Sequence, residues 1–108
     1  MTHDELSLHL EIRGGEHGTI LMLHGGGVGG WMWNPCAGHL ASKFRLLIPD
    51  LPGHDRSSAA PYASHDETIE ELAATLQKYA SEPVSVVGFS LGAQLAVLLA
   101  ARYPELVR

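Results

Sequence analysis

The sequence predicts an α/β fold: a mostly parallel sheet flanked by helices. Three observations carry it. Strand-like and helix-like patterns alternate along the 108 residues, the order that builds a parallel sheet with crossover helices. The interior strand candidates are continuous apolar runs, as strands covered on both faces are. The loops that carry glycine and polar side chains follow strand C-termini, where open α/β sheets place their ligands. At this length, with 45% apolar residues, the chain is one domain spanning residues 1–108.

The elements follow in order. Leu6, Leu8, Leu10 and Ile12 alternate with polar residues and predict a half-buried strand, which Arg13-Gly14-Gly15 turns. Thr19 to Leu23 is an apolar run that ends in the loop His24-Gly25-Gly26-Gly27-Val28-Gly29-Gly30. Asn34-Pro35 reads as an N-cap followed by proline at the first helical position, with the helix running to about Ser42. Phe44 to Ile48 is a second buried strand, and Pro49 to Pro61 a long loop. Ser64 and Glu67 suit a capping box. The helix they open sets Ile69, Leu72, Ala73, Leu76 and Tyr79 on one face, with Glu70, Glu71, Gln77 and Lys78 outside. Val84 to Gly88 is the next strand. The helix from Leu91 to Tyr103 has only Gln94 as an interior polar residue, which predicts nearly complete burial.

Composition excludes several classes. Net charge is −5 with charges scattered, so there is no basic stripe for nucleic acid and no polybasic membrane patch. The longest apolar run, Leu95 to Ala101, is far short of a membrane span. The acidic start, Met1 to Glu5, lacks the apolar core of a secretory signal, and the lone Cys36 cannot form an internal disulfide. A cytoplasmic setting is expected. No histidine or cysteine spacing suggests a metal, and no cofactor motif is present.

The chemistry centres on Gly88-Phe89-Ser90-Leu91-Gly92, a Gly-x-Ser-x-Gly set between a β-branched strand and a helix. In that context it reads as a nucleophile elbow. A serine needs a base to take its proton and donors for the oxyanion that forms. The helix N-terminus behind Ser90 aims N–H groups at the reacting oxygen, which makes the Leu91 amide one donor. The second should come from the glycine loop after the first buried strand. A phosphate cradle is the rival reading of that loop, but it has neither phosphate-binding glycine spacing nor a lysine.

Three segments together resemble the α/β-hydrolase superfamily over about Leu6 to Arg108: the loop His24-Gly25-Gly26-Gly27, the segment Asp50-Leu51-Pro52-Gly53-His54-Asp55-Arg56-Ser57, and the Ser90 turn. Within the superfamily the triple glycine is most similar to small esterases and carbon–carbon bond hydrolases. The resemblance implies a partial α/β-hydrolase fold and a serine esterase acting on a small ester-like substrate. Ser90 would be the nucleophile, Gly26 and Leu91 would give backbone oxyanion contacts, and His24, Gly25 and Gly27 would support the loop. Asp55 departs from the family pattern, which has glycine there. Aspartate tolerates a left-handed backbone better than most residues, so the turn should survive.

The family orders its triad serine, acid, histidine. Residues 91–108 contain no Asp or His, and Glu105 is their only acid. The chain therefore reads as the N-terminal half of a hydrolase, lacking the last strands, the triad partners and any lid, and inactive alone. His54 is expected to order its own loop and His65 to be solvated. His3, His9, His17 and His39 are expected at the surface and Cys36 in packing. Trp31 and Trp33 suit a pocket wall or a core cap equally. The strand 84–88 becomes an exposed apolar edge, which predicts self-association. Two other functions fit the same residues: a non-catalytic binding module, and a lyase or peroxidase-type relative.

Overall fold

The computed structural model describes residues 8–15, 18–58 and 61–108. Four strands form one mixed sheet: β1 (Leu10–Gly14), β2 (Thr19–Leu23), β3 (Arg45–Pro49) and β4 (Ser85–Gly88). Three helices connect them: α1 (Asn34–Leu40), α2 (His65–Tyr79) and α3 (Leu91–Arg102). The strand order is β1-β3-β2-β4. β1 runs antiparallel to β3, whereas β2 is parallel to both β3 and β4. A mostly parallel sheet flanked by helices is what the sequence predicts.

The apolar runs of β2 and β3 fill both faces of the sheet. Leu21, Leu23 and Leu47 point to the side covered by α2 and α3, where they meet Ile69, Leu72, Leu76, Leu95 and Leu99. Met22, Leu46 and Ile48 point the other way and meet Ala37 of α1. Each fully buried leucine or isoleucine contributes about 1.5–3 kcal/mol. Trp33 and Cys36 pack on this second cluster, whereas Trp31 is 53% exposed, so only Trp33 caps the core.

Several expectations need correction. β1 begins at Leu10 and includes Arg13 and Gly14, so the turn comes later; Leu6 lies outside the described residues, as do His3 and His17. β3 starts one residue later than expected. Asn34 is not an N-cap. A 3-10 turn, Gly30–Trp33, leads straight into α1, so Asn34 already has helical angles (φ −51°, ψ −43°) and its N–H bonds Trp31 O. α3 is apolar apart from Gln94 and Arg102 yet only half covered: Gly92, Leu95 and Leu99 are buried, while Val97 is 69% exposed. Ala93 and Ala101 on that outer face are exposed too. Glu71, expected outside, is half-buried.

Ser64 caps α2 as expected, its Oγ accepting the Glu67 N–H at 3.0 Å. Ser64→Ala should cost about 1 kcal/mol, read as a lower urea midpoint with an unchanged slope.

β4 is an edge strand, as predicted. Its start is not bare: Val84 donates to Leu106 O (2.9 Å) and accepts from Arg108 N (2.8 Å), one parallel rung between Val84 and Val107. No helix in the described residues is long and apolar enough to cross a membrane.

Candidate functional site

The topology opens a crevice at one place. From β2 the chain passes through α1 to β3 on one side, then returns through α2 to β4 on the other side of β2. The segment after β2 leads to α1 on one face, and the segment after β4 leads to α3 on the opposite face. Neighbouring strands whose following loops part in this way leave a cleft at their C-terminal ends. The glycine loop forms one lip and the Ser90 turn the other.

Ser90 is held at φ 56°, ψ −113°, between the end of β4 and the start of α3. Its carbonyl accepts from Ala93 N (2.9 Å) and Gln94 N (3.2 Å), and the strand end is pinned by Phe89 N donating to Leu23 O (3.1 Å). A positive φ on a non-glycine residue costs roughly 1–3 kcal/mol and persists only where surroundings impose it. The flanking glycines have a different cause. A Cβ on Gly88 would sit 2.3 Å from Gly92 O, and one on Gly92 only 2.1 Å from Leu23 O. Strand and helix touch backbone to backbone, and Ser90 is lifted to an exposed position above them.

The glycine loop is clamped at both ends. His24 is fully buried. Its Nδ1 lies 2.6 Å from Gly25 O, and its Nε2 accepts the Leu51 N–H at 2.9 Å. The ring is thus neutral, with its proton on Nδ1. At the far end Asp50, also buried, accepts the Gly30 N–H at 2.6 Å through Oδ1, and Arg56 Nε at 3.2 Å through Oδ2. Gly25, Gly29 and Gly30 are buried, while Gly26 and Gly27 arch into solvent. Among the described residues neither the Gly26 nor the Leu91 N–H has a hydrogen-bond acceptor. The Leu91 side chain reaches the loop, since a Cβ on Gly26 would be 4.0 Å from Leu91 Cδ2.

Burial holds the His24 imidazole below the usual histidine range, and neighbouring His54 pushes the same way, against the Gly25 carbonyl. A depressed folded value means the unfolded chain takes up this proton first. His24 therefore contributes stability that is full above the ordinary histidine range and is lost as pH falls through it. Melting temperature should drop between pH 7.5 and 5.5, and His24→Gln should shrink that drop.

The other predicted residues divide. His54 orders its own loop, as expected: its Nδ1 is 2.9 Å from Pro52 O. Asp55 adopts φ 43°, so the turn does survive without glycine. His65 is not merely solvated. Its Nδ1 meets Tyr62 Oη at 2.9 Å and its Nε2 meets Gln94 Oε1 at 3.1 Å, tying α2 to the first turn of α3. Sequence reading missed Tyr62, His65 and Gln94 because 29 residues separate the last pair and no local pattern marks it. A hollow of about 580 Å³, lined by Thr19, Arg45, Tyr79, Pro83 and Arg108, lies at the other end of the strands and holds none of the predicted site residues.

Comparison with known proteins agrees with this geometry. Residues 18–108 match the family model for the alpha/beta hydrolase fold. A pimeloyl-[acyl-carrier protein] methyl ester esterase of Chromobacterium violaceum is 38% identical over 94 residues, covering 87% of this chain and 35% of the relative. Lipase LipV of Mycobacterium tuberculosis is 38% identical over 104 residues, covering 94% of this chain and 39% of the lipase. The structure of a marine microorganism esterase superposes with a TM-score of 0.85 at 26% identity, covering 94% of this chain and 39% of that one. That of a Mycobacterium tuberculosis protein provisionally assigned as a non-heme bromoperoxidase gives 0.82 at 27%, covering 94% and 38%. The chain thus spans little more than a third of the length of the curated relatives it matches. With the Ser90 turn, the clamped glycine loop and the sheet order all in place, the chain belongs to the α/β-hydrolase fold family.

Proposed function

We propose that the chain supplies the nucleophile and the oxyanion donors of a serine hydrolase acting on small carboxylic esters. The observation that carries this reading is Ser90 itself, a serine held in a strained conformation at a helix N-terminus. The Gly26 and Leu91 N–H groups have no acceptor among the described residues, which leaves them available as donors. Ser90 Oγ attacks the ester carbonyl carbon and its proton passes to a base. The carbonyl oxygen takes on negative charge and accepts from the Gly26 and Leu91 amides. The C–O bond then breaks, the alcohol leaves with the proton, and water releases the acid from the acyl-serine. The relatives named as methyl ester esterases and a lipase support an ester substrate.

The base is assigned to polypeptide outside these residues. His24 cannot serve, since one ring nitrogen donates to Gly25 O and the other accepts from Leu51. The 108 residues alone are expected to be inactive. The proposed setting is the cytoplasm, on the strength of the lone Cys36.

An activated fluorophosphonate applied to the whole enzyme should add one phosphonyl group, mapped by mass spectrometry to the peptide containing Ser90. Labelling elsewhere with Ser90 untouched would refute the assignment. The neighbour assigned as a bromoperoxidase favours a second reading, the same turn serving peroxidase-type chemistry. Bromination of a phenol dye without ester turnover would favour it.

Self-association through β4 is also proposed. Val84 bonds away from β2, so by strand alternation the backbone groups of Val86 and Gly88 face the same open side. Light scattering on the 108-residue chain should find dimers or larger species; a monodisperse monomer with a cooperative melt would count against this.

A further inference from the structure

We propose that Asp55 is a positioning residue, a latch that pins Gly29 and thereby steadies the glycine loop presenting the Gly26 amide. The inference rests on the oxyanion reading of that loop, and its structural part can be tested without it.

Asp55 takes a left-handed backbone, φ 43°, at a position where glycine would be unstrained. The conformation lays its side chain over the glycine loop. A Cβ placed on Gly29 would lie 2.8 Å from both Cβ and Oδ2 of Asp55, and 3.1 Å from Trp31 Cδ1. Gly29 itself has φ −153° and ψ −175°, extended angles that any residue adopts. Backbone freedom is therefore not why position 29 is glycine. The side chains of Asp55 and Trp31 occupy the space where a side chain would go. The two unusual choices explain one another: a strained aspartate reaches across, and an unstrained glycine makes room for it.

The consequence falls on the loop. His24 holds it at Gly25 and Asp50 holds it at Gly30, both by hydrogen bonds. Asp55 adds a third, steric contact at Gly29. Only residues 26–28 are left outside the clamps, and that short span carries the proposed amide donor. The carboxylate makes no ion pair among the described residues, so shape and not charge does the holding. Asparagine, with the same shape and the same tolerance for left-handed angles, should replace it.

NMR on the chain tests this. Asp55→Gly removes strain but adds freedom to the unfolded chain, so its melting temperature should stay within about 4 °C of the parent. Locally the effect should be larger: amide exchange at Gly30 and Met32 should quicken about tenfold, with order parameters at Gly26 and Gly27 falling below about 0.6. Asp55→Asn should restore both. A uniform rise in exchange across the fold would make Asp55 a plain stability residue, and unchanged exchange in the loop would remove the latch; either result overturns the proposal. A second arm uses the pair. Gly29→Ala should lower the melting temperature strongly beside Asp55 and much less beside Asp55→Gly, whereas equal losses in both backgrounds overturn the coupling. Failure to label Ser90 would leave these results standing and sink the hydrolase reading alone.

Discussion

Ser90→Ala is expected to lower ester turnover by the whole enzyme by roughly 10⁴ to 10⁶-fold, while leaving the fold intact. The loss corresponds to about 5–8 kcal/mol of transition-state stabilisation. It should appear in kcat with little change in KM, because alanine removes the attacking oxygen and nothing that binds the ester. Stability should respond differently. Alanine inherits the positive φ of 56° and gains nothing from it. Glycine at the same position escapes the strain, so Ser90→Gly should raise stability by about 1 kcal/mol while abolishing turnover equally. Chemical denaturation beside steady-state kinetics separates the two. Turnover of Ser90→Ala within tenfold of the parent would end the nucleophile assignment.

Gly92→Ala is expected to be the most damaging single methyl group in the molecule. The added carbon would sit 2.1 Å from Leu23 O, 2.6 Å from Leu23 C and 2.7 Å from His24 O. All three are backbone atoms at the end of the central strand, so no side chain can rotate away. α3 would have to lift off β2, opening the cluster where Leu95 and Leu99 meet Leu21 and Leu23. The cost should be about 3 kcal/mol or more, lowering the melting temperature by more than about 12 °C. Gly38 is the control, because a Cβ there meets nothing within 4 Å and it lies inside α1. Gly38→Ala should be neutral or stabilising by up to about 1 kcal/mol. Equal melting temperatures for the two variants would refute the steric account.

The contrast between these glycines shows what the sequence made legible. β2 and β3 were readable because Ile20 to Leu23 and Leu46 to Ile48 are unbroken apolar runs, a pattern that burial on both faces enforces. The Ser90 turn was readable because its constraint is local: five residues, a strand before and a helix after. Three things were not. The 3-10 turn at Gly30–Trp33 displaced the cap expected at Asn34, because continuing one helical turn into another removes the need for a side-chain cap. The outer face of α3 carries Ala93, Val97 and Ala101 with Gln94 as its polar residue, so composition could not tell covered from open. The Tyr62–His65–Gln94 line and the Asp55–Gly29 contact join residues far apart in the chain, and no periodicity encodes such meetings.

The burial of His24 also has a consequence in the language of reactivity. An acylating histidine reagent needs a water-accessible ring and a free nitrogen lone pair. His24 is fully buried, and the lone pair on Nε2 is engaged by the Leu51 N–H. Of the seven histidines in the chain, His24 should stay silent in the folded state. Its delayed modification would time the opening of the glycine loop, a clock that needs neither substrate nor turnover.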